Sequence, residues 1–177
     1  MRVLGISGAL RQASTNRLLL AEARRALGDC DWSEGDIRLP VFDEDIETGP
    51  GIPAEVQALA DAIARADAVV IASPEYNKSV AGGLKNALDW VSRTKGGPWE
   101  DKPVAILSAN DGRAGGDRGQ FALRLCLVPF RPRVLPGPEV MVADSRNAFA
   151  ADGRLLSDRY FKTLSVLMGK LRAEAER

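Results

Sequence analysis

Histidine is missing from all 177 residues. That single absence removes serine–histidine and cysteine–histidine nucleophile pairs, imidazole acid–base chemistry and the usual histidine-bound catalytic zinc. Cysteine is scarce: Cys30 and Cys126 stand alone in neither a metal-binding nor a redox spacing, so no metal site is expected. Cys126 lies in the apolar run FALRLCLVPF, where a buried thiol is expected. Charge of one sign is also lacking, because 24 lysines and arginines meet 24 aspartates and glutamates. A neutral balance gives no electrostatic reason for nucleic acid or an anionic membrane to be the main partner. The short basic piece around Arg131 and Arg133 reads as a solvated face or a local anion contact. No apolar run approaches a membrane span, and MRVLGISGAL is too short and glycine-rich for a secretory signal. The expectation is a soluble, cytoplasmic chain forming one domain over residues 1–177.

What is present is alternation. Arg2–Ile6 reads as a short buried strand, and Asn16–Leu27 switches to helical spacing with Leu19, Leu20, Ala23 and Leu27 on one stripe. Asp36–Leu39 is a modest second strand, and Pro40 with the acidic stretch Asp43–Glu47 reads as surface loop. Val56, Leu59, Ile63 and Ala66 mark the next helix. Ala68–Ala72 (AVVIA) has the look of a central parallel strand covered on both faces. A helix over Gly83–Ser92, a strand over Val104–Ser108, a helix over Gly119–Leu127 and a strand at Val134–Leu135 follow, with Val140–Ala143 extending that last region. Tyr160–Arg172 closes the chain as an amphipathic helix. Five strands alternating with helices predict an α/β three-layer sandwich around a mostly parallel sheet.

In such sheets ligands lie beyond the carboxyl ends of the strands, where strand order reverses. Three strands here end in polar or glycine-rich loops that would share that rim. The first, SGALRQASTN, sets Ser7, Arg11, Ser14, Thr15 and Asn16 just ahead of a helix. A helix start offers free amides and positive partial charge, hydroxyls and an amide add donors, and Arg11 adds a charge-assisted one; together these suit a phosphate. Ser14 or Thr15 equally suits a plain helix cap. The loop matches neither the Walker ending nor the GxGxxG dinucleotide pattern. The third loop, SANDGRAGGDRGQ, carries Ser108, Asn110, Gly112 and Gly115. Its glycines allow close backbone approach to a flat ligand, while Asn110 suits either a ligand or a local turn bond.

The second loop and its helix, SPEYNKSVAGGLKNALDWVSR from Ser73 to Arg93, resemble the signature of the NADPH-dependent FMN reductase family, which includes chromate and quinone reductases. Ser7, Leu10, Arg11, Ser14 and Asn16 match the same family's phosphate motif, and the likeness runs from Arg2 to about Arg133. It implies a flavodoxin-like fold with strand order 2-1-3-4-5 and bound FMN. It places Pro74, Glu75, Tyr76 and Asn77 along the isoalloxazine largely through backbone contacts, and maps Ser108 and the Gly112–Gly116 span onto the flavin edge. Tyr76 then lies beside the ring, walls the substrate pocket or simply packs. Arg11 binds the FMN phosphate or reaches a nicotinamide phosphate. Lys85 and Asn86 are expected to brace the second loop, and Asp89 and Trp90 to pack. Where the family usually has proline before glycine, this chain has Ala81-Gly82. The implied activity is transfer of electrons from NADPH or NADH to a quinone, chromate, azo compound or flavin in a ping-pong cycle, by a homodimer or homotetramer. Flavin chemistry needs no histidine. The competing expectation is an FMN electron carrier of the flavodoxin kind that serves protein partners, against which the neutral charge argues; an FMN-free phosphate-binding or interaction domain is a third.

Overall fold

The apolar runs separate by period into strands and helices. The computed structural model describes residues 1–177. In chain order it has β1 (Arg2–Ser7), α1 (Thr15–Leu27), β2 (Asp31–Gly35), α2 (Glu44–Thr48), α3 (Ala54–Arg65), β3 (Ala68–Ala72), β4 (Glu75–Tyr76), β5 (Ser79–Val80) and α4 (Gly82–Ser92). Then come β6 (Pro103–Ala109), α5 (Asp117–Leu127), β7 (Arg133–Val134), β8 (Val140–Val142) and α6 (Asp158–Ala175). No helix is long and apolar enough to cross a membrane.

The main sheet is parallel and runs β2-β1-β3-β6, with β7 and β8 both paired to β6. β7 pairs at Pro103 and Val104, and β8 at Leu107–Ala109, so the two segments form one interrupted edge strand. The expected order 2-1-3-4-5 is therefore present, its fifth position split in two. β3 and β6 are buried along their whole length, as strands covered on both faces must be. Alternate residues feed opposite cores: Val3, Val70 and Leu107 meet α1 and α6, whereas Leu4, Ile71 and Ile106 meet α3, α4 and α5.

The second strand is Asp31–Gly35, not Asp36–Leu39. An edge strand needs one neighbour and one covered face, so DWSEG carries none of the β-branched density that marks a central strand. The acidic stretch is not loop throughout. Asp43 accepts from the Asp45 amide at 2.9 Å and caps the short helix α2, whose first turn is acidic as the helix dipole favours. Cys126 is half-buried, on the flank of α5, rather than buried.

Beneath the rim, α1 is tied to the connection between β8 and α6. Glu22 is buried, receives Arg25 at 2.6 and 2.8 Å and accepts from the Leu155 amide at 3.1 Å. Burial, the largest influence, would raise its pKa, but the Arg25 and Leu155 donors outweigh it and hold the carboxyl below its usual range.

Candidate functional site

Parallel strands all point their carboxyl ends at one rim, and loops 1 (Gly8–Ser14), 2 (Ser73–Ala81) and 3 (Asn110–Gly116) leave from it. Close packing and buried side-chain bonds hold them in a ring. Gly8 lets loop 1 lie against loop 2, since a Cβ there would stand 2.3 Å from Ser73 Oγ. Asn16, 1% exposed, donates from Nδ2 to the Ala109 carbonyl at 2.9 Å and accepts the Ala109 amide at 3.0 Å, joining α1 to the end of β6. Asn110 does the same for loop 2, accepting from the Glu75 amide at 2.7 Å and donating to its carbonyl at 3.0 Å. The Glu75 carboxylate accepts the Gly119 amide at 3.2 Å and so satisfies the start of α5.

The ring encloses a cleft of 530 Å³. Arg11, Ser14, Thr15, Asn16, Pro74, Tyr76 and Asn110 all line it, as the sequence places them. Ser7, Glu75, Asn77, Ser108, Gly112 and Gly115 do not line it, and serve the loops instead. Ser7 Oγ bonds both to the Ala9 carbonyl and to its amide, shaping the first turn. Ser108 is buried: its hydroxyl donates to the Gly115 carbonyl at 2.6 Å and accepts from Gln120 Nε2 at 2.9 Å. Asn77 and Lys78 sit at φ 49° and 65°, the tip of the β4–β5 hairpin. Two left-handed residues between two-residue strands make the turn type that fits strand twist.

Three features were not legible in advance. A fourth loop joins the site: Ser145 and Arg146, just after β8, line the cleft together with Asp111. The rule that parallel strands end at one rim extends to the fifth strand and would have found them. Gln120, under loop 3, is a second brace. Lys85 and Asn86, expected to brace loop 2, turn elsewhere. Lys85 pairs with Asp89 on its own helix at 2.6 Å, and Asn86 holds the Pro40 carbonyl and the Phe42 amide. Trp90 is buried and donates to that same Pro40 carbonyl at 2.8 Å, so the Pro40–Phe42 segment is what α4 braces.

A phosphate-bearing flavin fits this donor set. Ser14 caps α1 through the Asn16 amide, but the amides of Leu10, Arg11, Gln12, Ala13 and Thr15 find no acceptor in the chain. Arg11 is exposed beside them and, unlike Arg38 with Asp36, has no carboxylate partner. Unpaired amides at a helix start with a free guanidinium match a phosphate dianion. The amides of Asn77, Lys78, Gly112, Arg113 and Ala114 are likewise unpaired at the tips of loops 2 and 3, on the same rim but outside the cleft lining.

Ala81 has φ −63° and an amide without an acceptor, both compatible with proline. Ala81→Pro is expected to raise the melting temperature by about 2–4 °C, by restricting the unfolded chain. A calorimetric scan of both proteins checks this.

Residues 1–147 match the family model described as NADPH-dependent FMN reductase. The chain is 45% identical to an NAD(P)H-dependent FMN reductase of Pseudomonas aeruginosa, over 90% of this chain and 86% of that one. It is 37% identical to a quinone reductase of Escherichia coli, over 99% of this chain and 94% of that one. Among solved structures, FerB of Paracoccus denitrificans, a flavoenzyme NAD(P)H:(acceptor) oxidoreductase, superposes with a TM-score of 0.88 at 29% identity, covering 99% of this chain and 97% of that one.

Proposed function

The chain belongs to the NADPH-dependent FMN reductase family, and we propose that it holds FMN in the four-loop cleft and passes electrons from NAD(P)H to small quinone-type acceptors. The observation that carries this is the row of unpaired amides ahead of α1, flanked by Ser14, Thr15 and Arg11. Bound FMN supplies the redox chemistry. The chain's own residues bind and orient. The amides of loop 1, the Ser14 hydroxyl and Arg11 grip the phosphate end, and the tips of loops 2 and 3, outside the cleft lining, present amides to a ring edge that reaches past it.

Pro74 and Tyr76 wall the cleft where the ring would lie. Tyr76 is 53% exposed, so its ring offers a flat surface next to an open face. Donor and acceptor take turns on that face, which needs no acid–base side chain and agrees with the absence of histidine. An initial-rate grid with NADPH and a benzoquinone should give parallel double-reciprocal lines. Intersecting lines would refute alternation on one face. A flavin spectrum with no turnover of NADPH would instead favour the electron carrier.

Arg11→Ala is expected to weaken FMN binding about tenfold while leaving riboflavin binding unchanged, because only the phosphate end loses a partner. Fluorescence titration of both flavins reads the difference.

The reading extends to a homodimer or homotetramer. Phe121 and Leu125 on α5 and Val128 just past its end are exposed apolar residues, with Leu125 at 73% exposure. Leu125→Glu should lower the mass seen by light scattering; a chain already monomeric before substitution ends that part of the proposal.

A further inference from the structure

Loops 3 and 4 are joined by a hydroxyl chain that ends inside the cleft. Asp111 Oδ1 accepts from Ser145 Oγ at 2.9 Å and from the Arg146 amide at 3.2 Å, and Oδ2 lies 2.6 Å from Arg146 Nε. Ser145 is 3% exposed, and its Oγ is 3.2 Å from Thr15 Oγ1. Burial, the largest influence on Asp111, would raise its pKa, but the Ser145 hydroxyl and Arg146 together keep it below the usual range, so the group is ionised near neutrality.

An ionised carboxylate only accepts, so the one proton of Ser145 goes to Asp111, and Ser145 can meet Thr15 only as an acceptor. The single proton of Thr15 is therefore turned towards Ser145. Thr15 is the first residue of α1 and lines the cleft beside Arg11 and Ser14, where a phosphate calls for donors. As wired, its oxygen offers that phosphate lone pairs alone. Asp111 adds negative charge to the same cleft, and Arg146 offsets it across an exposed ion pair.

We propose that Asp111, acting through the buried Ser145 hydroxyl, sets how tightly the cleft holds a flavin phosphate by keeping the Thr15 proton turned away from it. This rests on the assignment of FMN to the cleft. Asp111 is a positioning residue, and the loop after β8 becomes a determinant of the preference for FMN over riboflavin. The Asp111→Asn side chain donates to Ser145 Oγ with its nitrogen in the place of Oδ1, an arrangement that gives up the Arg146 amide bond and leaves the amide oxygen to Arg146 Nε. Ser145 then donates to Thr15, whose proton is released towards the phosphate.

The test is fluorescence titration of the flavin-free full chain with FMN and, separately, riboflavin. Asp111→Asn should lower the FMN dissociation constant about tenfold and leave riboflavin within about twofold. Thr15→Val should abolish most of that gain, so that adding Asp111→Asn to it improves FMN binding by no more than about threefold, the residue of the charge effect. Arg146→Ala, which leaves the carboxylate uncompensated, should weaken FMN about threefold. Thermal melts of each variant separate loss of fold from loss of affinity. No tightening in Asp111→Asn, an equal change for both flavins, or a full gain persisting with Thr15→Val would overturn the proposal. Binding of neither flavin by the unsubstituted chain would overturn the FMN assignment and this proposal with it, whereas binding of FMN without the Asp111 effect overturns this proposal alone.

Discussion

Gly115→Ala is expected to destabilise the fold by about 3 kcal/mol and to weaken FMN binding more than about tenfold. Gly115 sits at φ 63°, and a Cβ there would stand 2.6 Å from both the carbonyl carbon and the oxygen of Met141. Left-handed backbone costs a side-chain-bearing residue roughly 1 kcal/mol. The clash costs more, because its partner is the backbone of β8 and no rotamer can relieve it. Loop 3 would have to lift off the sheet edge, breaking the Ser108 hydroxyl bond to the Gly115 carbonyl that holds its shape. Gly112→Ala is the control: a Cβ there meets nothing within 4 Å, so stability should stay within about 0.5 kcal/mol. Urea unfolding of the pair and FMN titration give both quantities. Equal behaviour of the two variants would show that loop 3 is not packed as described.

Asn16→Ala is expected to cost about 3 kcal/mol and to lower the melting temperature by about 6–12 °C. The side chain is almost fully buried and makes two bonds to Ala109. Removing it orphans the Ala109 amide inside the protein, where no water replaces the bond, and opens a small cavity as well. Loops 1 and 3 also lose their tether, so FMN affinity should fall about tenfold beyond what stability alone explains. Asn16→Asp sharpens the test. It keeps shape and volume but sets a carboxylate against the Ala109 carbonyl, so it should be at least as damaging as alanine. If Asn16→Asp melts like the parent chain, the bidentate bond is not the function of that side chain.

AVVIA at Ala68–Ala72 announced a central strand because a strand covered on both faces must be apolar throughout, and it is. DWSEG concealed β2 because an edge strand is specified mostly by its neighbour. Arg11, Ser14, Thr15 and Tyr76 were found as cleft residues because each sits on, or one residue past, a short loop leaving a recognisable strand. Ser145 and Arg146 were missed because Val140–Ala143 reads only as an extension of the last strand region and the family likeness ends near Arg133, before the turn that follows β8. Asn16 and Asn110 were placed in the right neighbourhood with the work still open. Their amides serve other main-chain groups, a choice made by partners 93 and 35 residues away.

Local pattern determined the alternation of strands and helices, the parallel character of the sheet and the family likeness, because period, turn chemistry and loop motifs act over a few neighbouring residues. Tertiary packing alone decided which polar side chains face the cleft and which are spent bracing it. It also brought the turn after β8 to Thr15, 130 residues away in sequence. A hydroxyl or amide has few bonds to make, and only the folded chain sets which partner lies within reach.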